Sequence, residues 1–369
     1  GGILVGEGTS LEGLDMPAYA APVLFVAYVF IGIWALQVYQ SGRVEQVYIS
    51  QWYILGALFW FPWIFSLAQI MLFIDPVRGT VQTIVHTWFS QGLNFLWFLP
   101  VALGAIYYFL PKLLGRPIKS YYISVSGFWV LALFGGWAGL GRLTGAPVPA
   151  WVVSAGVGGA LMLDVAWAVL AINLLPTVFG GRSPRHARGM RRFFAAAVIA
   201  LFVWAASTIV LSLRSVAEIT QFTLVLPAQS QLFFYGVFSL VALGGLYYLL
   251  PRVLGVEWSS PKLIGAHFWL SVIGILLGVV ALTLGGLKQG FAINALAAGQ
   301  ESPEPLLAVM RQLLPFLSTQ TLGATVLLLG HLLFVINLVC TARKACCCCC
   351  GPRSSASVGY TGSKEAVIR

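Results

Sequence analysis

Long, uninterrupted apolar stretches dominate the chain, and short polar segments separate them. A membrane-spanning helix needs about 20 apolar residues at a rise of about 1.5 Å per residue, and windows of this length recur along almost the whole chain. The stretches do not alternate apolar and polar positions as the strands of a membrane β-barrel do. The pattern therefore predicts an all-α integral membrane protein, a bundle of about nine transmembrane helices, at residues 18–40, 53–74, 87–110, 122–140, 152–179, 193–213, 229–250, 264–287 and 321–339.

Composition supports this prediction and sets the domain organisation. Hydrophobic residues make up 59% of the chain and charged residues 9%, and the mean hydropathy is +0.90, which is outside the range of soluble globular proteins. The lipid bilayer is thus the first predicted partner. We expect a membrane domain at 1–345, followed at 346–369 by a cysteine run and a disordered cytoplasmic tail. The chain begins with Gly-Gly and not with Met, so we also expect it to be a fragment or a processed product that lacks some helices.

The distribution of charge predicts the orientation. Most Lys and Arg residues follow the odd-numbered predicted spans: Arg43, Lys112, Arg116, Lys119, the run 182–192, Arg252, Lys262, Arg343 and Lys344. Acidic residues concentrate on the opposite side: Glu12, Asp15, Asp75, Glu218, Glu301 and Glu304. The positive-inside rule then places the N-terminus outside and the C-terminus in the cytoplasm, in a membrane such as the bacterial inner membrane. The net charge of +10 is explained by this topology, and we predict no nucleic-acid partner.

Five of the six cysteines form an unbroken run just after the last predicted span. Adjacent cysteines are neither a disulfide framework nor a CxxC metal or redox motif. Cysteines at a cytoplasmic membrane boundary can carry palmitate, which would hold the tail at the bilayer. Dispensable low-complexity sequence is the alternative interpretation. The candidate lipidation sites are Cys346, Cys347, Cys348, Cys349 and Cys350.

Polar residues within apolar spans mark either function or helix packing, because lipid cannot solvate them. Asp164 lies in the middle of LMLDVAWAV, and we expect it to face the bundle interior, as a proton or ion relay or as a hydrogen-bonded contact between helices. His331, in LLLGHLLFV, is interpreted as a packing histidine. We expect His86 and His267, at the edges of predicted spans, to lie at the membrane interface.

Several motifs in one order carry a resemblance that covers nearly the whole chain. They are GAIYYFLPKLLGRPIKSYYISVSGFWVLALFGGWAG at 104–139, LYYLLPRVLG at 246–255, HFWLSVIGI at 267–275, GGLKQG at 285–290 and INLVCTA at 336–342. This series resembles the catalytic subunit I of the C-family, cbb-type heme-copper oxidases. The resemblance implies the heme-copper oxidase subunit I fold, with this chain matching the last nine of the family's twelve helices.

The family reduces oxygen to water at a high-spin heme b beside a copper ion, and this centre together with the low-spin heme requires six histidines. The chain contains four histidines. The motifs also fix where the family's ligands fall, and none of these positions holds a histidine. The first metal ligand, the adjacent histidine pair and the His-x-His pair fall on Gln91, on Gly141 and Arg142, and on Gln229 and Gln231, and the family's cross-linked tyrosine falls on Gly135.

Glutamine is a poor ligand for heme iron or copper compared with imidazole, and the permanently charged Arg142 repels a metal cation. We therefore predict neither heme nor copper in this chain and expect bulky Phe, Trp and Leu side chains to fill the former heme cavities. The predicted protein is catalytically silent by itself. It acts as a structural or partner-binding subunit of a respiratory complex, beside membrane-anchored c-type cytochrome subunits as the resemblance implies.

Two alternatives remain open from the sequence. Family membership alone implies an active cbb-type terminal oxidase subunit that reduces oxygen and pumps protons. The chain could instead conduct protons or a solute through cavities where hemes lie in the family. The candidate lining residues of such a path are Gln91, Asn94, Asp164, Gln229 and Gln231.

Overall fold

The computed structural model describes residues 6, 11, 13–42, 47–180, 188–297 and 305–350. Within these ranges nine helices are long and apolar enough to cross a membrane, which confirms the predicted helical bundle. The protein is thus an integral membrane protein. The spans are α1 (Ala20–Ser41), α2 (Ile49–Ile74), α3 (Thr80–Leu114), α4 (Tyr121–Leu143), α5 (Ala150–Phe179), α6 (Gly189–Ser212), α7 (Val225–Leu254), α8 (Pro261–Ala295) and α9 (Leu307–Cys346).

The last span is much longer than the apolar segment predicted from the sequence. It begins at Leu307, whereas the sequence placed its start near residue 321. The intervening hydroxyl side chains do not break the helix, because Ser318 and Thr319 donate hydrogen bonds to carbonyl oxygens four residues earlier. The helix continues to Cys350. Cys346 is exposed, the side chains of 347–350 and the tail at 351–369 lie outside the described residues, and lipidation remains a prediction.

The spans differ greatly in how deeply they are buried. In α3, 67% of the most apolar window is buried, against 11% in α1, so α3 runs through the centre of the bundle and α1 lies at its edge. Aromatic side chains pack the core beside α3. Tyr53 of α2 stacks on Tyr107 of α3 at 5.7 Å between ring centroids, and Phe128 of α4 meets Tyr53 edge to face at 5.4 Å.

Four spans contain irregular helical segments. π-helical turns occur at Ile70–Ile74 in α2, at Leu93–Phe98 in α3 and at Leu232–Ser239 in α7, and a 3-10 segment at Gly139–Leu143 ends α4. Such turns change the direction of the side chains that follow and often occur near functional sites. The positions that the motif spacing assigns to the family's metal ligands lie within or just before three of these segments.

The 3-10 end of α4 lies directly against the backbone of α5. A methyl group added at Gly156 of α5 would overlap the backbone nitrogen of Gly141, and one added at Gly159 would lie 3.0 Å from the nitrogen of Ala138. Membrane helices associate closely where small residues face each other. The two glycines therefore allow α5 to hold the turn at Gly139–Leu143 in place.

This contact predicts a position-specific effect of one methyl group. We expect Gly156→Ala to lower the unfolding temperature in detergent, because overpacking against backbone costs about 1–3 kcal/mol. Gly158→Ala is the matched control, since a methyl group at Gly158 meets no atom within 4 Å. Tryptophan fluorescence during heating measures both variants. Equal unfolding temperatures for the two variants would contradict the close approach of α4 and α5.

Candidate functional site

Three of the positions aligned with metal ligands converge. Gln91 of α3, Arg142 at the end of α4 and Gln229 of α7 line one cavity of about 20 Å³. Gln91 and Gln229 are buried. A cavity of this volume has room for about one water molecule. The three side chains thus meet in a nearly closed polar cluster.

Gln229 forms hydrogen bonds from both ends of its amide. Its Oε1 accepts a hydrogen bond of 2.6 Å from Nη2 of Arg142. Its Nε2 donates to Oγ1 of Thr208 at 3.0 Å and to Oγ of Ser207 at 3.3 Å. The side chain therefore connects α4, α6 and α7, and its polar atoms are engaged by protein groups.

Gln91 and Gly141 occupy tightly packed positions. A methyl group at Gly139 would overlap Cβ and Cγ of Gln91, so the Gln91 side chain lies directly on the α4 backbone. Gly141 is buried, and a methyl group added there would contact Val157 of α5 at ordinary van der Waals distance. Close packing from α4 and α5 thus closes this side of the cluster.

Aromatic rings form the other wall of the cluster. Trp204 of α6 lies at its centre, with ring centroids 5.2 Å from Phe95, 4.5 Å from Phe233 and 5.9 Å from Trp167. Trp204, Phe95 and Phe233 are buried. Bulky aromatic side chains thus lie beside Gln91 and Gln229; that they fill a former heme cavity stays a prediction.

Gln231 does not join this cluster. Residues two apart on a helix point in nearly opposite directions, so Gln231 faces away from Gln229. It lines a second cavity of about 240 Å³ between α7, α8 and α9, together with Tyr235, Gln320 and His331. The family's His-x-His positions therefore lead into two separate cavities of different size.

The remaining candidate residues lie apart. Asp164 of α5 is half-buried, and its Oδ1 is buried without a hydrogen bond to any described residue. Asn94 is buried in the π-helical segment of α3. Neither lines the two cavities described above. The candidate path through Gln91, Asn94, Asp164, Gln229 and Gln231 is therefore not one continuous lining.

His267, predicted at the edge of a span, is fully buried. It lies six residues after the start of α8 at Pro261 and packs against Phe193, Tyr247 and Phe334 of the neighbouring helices. Its Nδ1 lies 2.8 Å from the hydroxyl of Tyr247 and its Nε2 lies 3.3 Å from Nδ1 of His331. Sequence reasoning missed this group, although two histidines in apolar spans are a signal for it.

A metal site needs several ligand side chains close together. Among the described residues, no three or more His, Cys, Asp or Glu side chains come together to form a candidate metal site. The cluster around Gln229 offers amide, hydroxyl and guanidinium groups. Such a cluster is suited to joining helices by hydrogen bonds.

Comparison with known proteins identifies the same family as the sequence motifs do. Residues 6–326 match the family described as Cytochrome C and Quinol oxidase polypeptide I. The chain is 26% identical over 287 residues to the Cbb3-type cytochrome c oxidase subunit CcoN1 of Stutzerimonas stutzeri, covering 74% of this chain and 59% of the relative. It is 25% identical over 362 residues to the cytochrome c oxidase subunit 1 homolog, bacteroid, of Bradyrhizobium diazoefficiens, covering 93% of this chain and 64% of that relative.

The fold is similar to that of a solved heme-copper terminal oxidase dimer, determined by cryo-EM. The TM-score is 0.63 at 16% sequence identity, with 80% of this chain and 56% of the other chain covered. The chain thus spans about three fifths of the length of the curated relatives described above. The shared part extends over nearly all of the described helices.

The contact between Arg142 and Gln229 predicts energetic coupling. We expect Gln229→Leu to destabilise the protein more than the double variant Arg142→Met with Gln229→Leu, because the single change removes an acceptor from a guanidinium inside the bundle. Hydrogen bonds between membrane helices contribute about 0.6–2 kcal/mol, so a coupling energy in this range is expected. A double-mutant cycle of thermal unfolding in detergent measures it, and strictly additive effects would contradict the contact.

Proposed function

The chain belongs to the Cytochrome C and Quinol oxidase polypeptide I family, and from this premise we propose that it is a cbb-type subunit I homologue that has lost the heme-copper centre. In this proposal it serves as a structural or partner-binding subunit of a respiratory complex in the bacterial inner membrane, with its C-terminus in the cytoplasm. Its partners are membrane-anchored c-type cytochrome subunits. The chain by itself is catalytically silent.

The observation that carries the proposal is the hydrogen bond between Arg142 and Gln229. A guanidinium stays protonated in proteins, so a copper ion beside it would experience repulsion from a fixed positive charge. The Nη2 atom of Arg142 lies 2.6 Å from Oε1 of Gln229. The amide of Gln229, at a position that we propose once held a ligand imidazole, therefore accepts a hydrogen bond from a fixed cation, which disfavours a metal cation at the same oxygen.

The available space also supports the proposal. Sites for small organic ligands have volumes of about 300–1,000 Å³. The cavity between Gln91 and Gln229 has about 20 Å³ and the cavity beside Gln231 about 240 Å³. Trp204 and its aromatic neighbours fill the region between α3, α6 and α7. Both cavities are smaller than this range, and the cavity between Gln91 and Gln229 would need repacking of the buried Phe95 and Trp204 to admit a heme macrocycle.

The histidines present do not replace the family's ligands. His267 uses both ring nitrogens, one toward Tyr247 and one toward His331. His86 lies near the start of α3, five residues before Gln91, and His186 lies outside the described residues. Activity as a terminal oxidase, which the names of the relatives suggest, would therefore require a ligand set that the aligned positions do not provide.

The proposal predicts the spectrum of the purified protein. We expect the chain, solubilised in mild detergent with the subunits that accompany it, to contain covalently attached c-type heme in its partners and no stoichiometric b-type heme or copper. The pyridine hemochrome spectrum distinguishes b-type from c-type heme, and elemental analysis measures copper.

The same preparation tests the partner assignment. Heme staining after denaturing electrophoresis identifies chains that carry covalent heme, and cross-linking shows which of them contact this chain. One b-type heme per chain, remaining after the c-type subunits have been separated, would overturn the loss of the centre. Absence of any heme-staining partner would overturn the assignment to c-type cytochrome partners.

A further inference from the structure

Three side chains in the last described spans form a continuous hydrogen-bonded series. The hydroxyl of Tyr247 in α7 lies 2.8 Å from Nδ1 of His267 in α8, and Nε2 of His267 lies 3.3 Å from Nδ1 of His331 in α9. Tyr247 and His267 are fully buried. The series therefore crosses three helices without an intervening group.

The surroundings of this series are apolar. The ring of His267 meets Phe193 of α6, Tyr247 of α7, and His331 and Phe334 of α9, with centroids between 5.5 and 5.8 Å apart. Of these neighbours only Tyr247 and His331 are titratable. One turn after His267, the buried Oγ of Ser271 has no hydrogen-bond partner among the described residues. Among the ring neighbours of His267, only the other two members of the series can therefore exchange a proton with it.

The hydrogen bonds of the series can run in either direction, depending on the histidine tautomers. If Tyr247 donates to Nδ1 of His267, then the Nε2–H of His267 donates to Nδ1 of His331, and Nε2 of His331 carries the last proton. Each neutral imidazole then has one donor and one acceptor. A series of this kind can transfer a proton from end to end, because each imidazole gains a proton at Nδ1 and releases one from Nε2.

The His331 end leads to the larger cavity. His331 lines the space of about 240 Å³ with Gln231, Tyr235 and Gln320, enough for several water molecules at about 30 Å³ each. Gly278 provides part of this room, since a methyl group there would lie 2.9 Å from Oε1 of Gln231. The amides and the phenol supply the polar partners that water needs in an apolar bundle.

The Tyr247 end lies near the loop between α7 and α8. Tyr247 precedes the end of α7 by seven residues, about 10 Å of helix. Trp258 of this loop covers it, with ring centroids 4.9 Å apart and with Nε1 donating a hydrogen bond of 2.9 Å to the carbonyl oxygen of Tyr247. Trp258 is itself only partly buried, so its indole packs on the Tyr247 ring and is also accessible from the loop side.

We propose that Tyr247, His267 and His331 form a proton relay between the loop that follows α7 and the cavity lined by Gln231 and Gln320, and that Trp258 closes its loop end. The relay and the cavity together extend over roughly 20 Å of α7, most of the apolar thickness of a membrane. This path is separate from the cluster around Gln229, so it does not depend on the absence of a heme-copper centre.

One transfer balances as follows. The phenol proton of Tyr247 moves to Nδ1 of His267, the Nε2 proton of His267 moves to Nδ1 of His331, and the Nε2 proton of His331 leaves to water in the cavity. The phenolate then takes a proton from the loop side when Trp258 is displaced. Each imidazole ends in its other tautomer, so each ring must return to its first tautomer before the next proton passes.

The test is proton flux in liposomes that contain the full chain with its accompanying subunits. A potassium gradient with valinomycin sets the membrane potential, and pyranine inside the vesicles reports the pH. We expect Trp258→Ala to increase the flux severalfold over the unchanged protein, because it opens the loop end. Trp258→Phe, which keeps a ring but loses the Nε1 donor, is the second variant and should give a smaller increase.

Changes within the relay distinguish it from a general leak. In the Trp258→Ala background, Tyr247→Phe and His331→Leu should each return the flux to the level of the unchanged protein. Tyr53→Phe is the matched control, since Tyr53 is equally buried and its hydroxyl has no hydrogen bond to a described residue; it should retain the increase. The proposal is overturned if folded Trp258 variants show no increase, if the increase survives Tyr247→Phe or His331→Leu, or if Tyr53→Phe also removes it.

Discussion

In the hydrocarbon layer of a membrane no water is available to complete a hydrogen bond, so each span must satisfy its own backbone, and a polar side chain is stabilised where it finds a partner inside the bundle. This constraint explains why the described part of the chain is built from long helices. It also explains why irregular turns occur where other helices pack closely. The 3-10 end of α4 rests on the glycines of α5, and the π-helical segment of α3 lies beside Trp204.

The same constraint determines which polar side chains the interior of the bundle tolerates. Gln229 has a polar side chain at a buried position, and its amide oxygen and nitrogen both form hydrogen bonds with side chains of neighbouring helices. Gln91 is accommodated because Gly139 leaves room for it. Interhelical hydrogen bonds and aromatic packing can thus stabilise such a bundle where a metal centre and its macrocycles would otherwise occupy the interior.

The sequence predicted all nine spans, because an apolar window of sufficient length has few alternatives to a helix in lipid. It did not predict their ends. The start of α2 at Ile49, for example, depends on the hydrogen bond from the Tyr48 amide to the Gln51 side chain, and hydropathy does not record caps. Motif spacing identified Gln91, Arg142 and Gln229, but their convergence depends on the relative positions of three helices. The pairing of His267 with His331 could not be predicted, since it requires the relative rotation of α8 and α9.

The Arg142–Gln229 contact and the His267–His331 contact differ in whether they can transfer a proton. The guanidinium of Arg142 remains charged and can only donate, so its contact with Gln229 has one direction and one charge state. An imidazole can donate or accept at either nitrogen, so the contact between His267 and His331 has two equivalent directions. The cavities beside the two contacts also differ in volume: the cavity next to Arg142 has about 20 Å³, and the cavity next to His331 has about 240 Å³. One group is therefore suited to holding helices together, and the other retains the chemistry and the room for transfer.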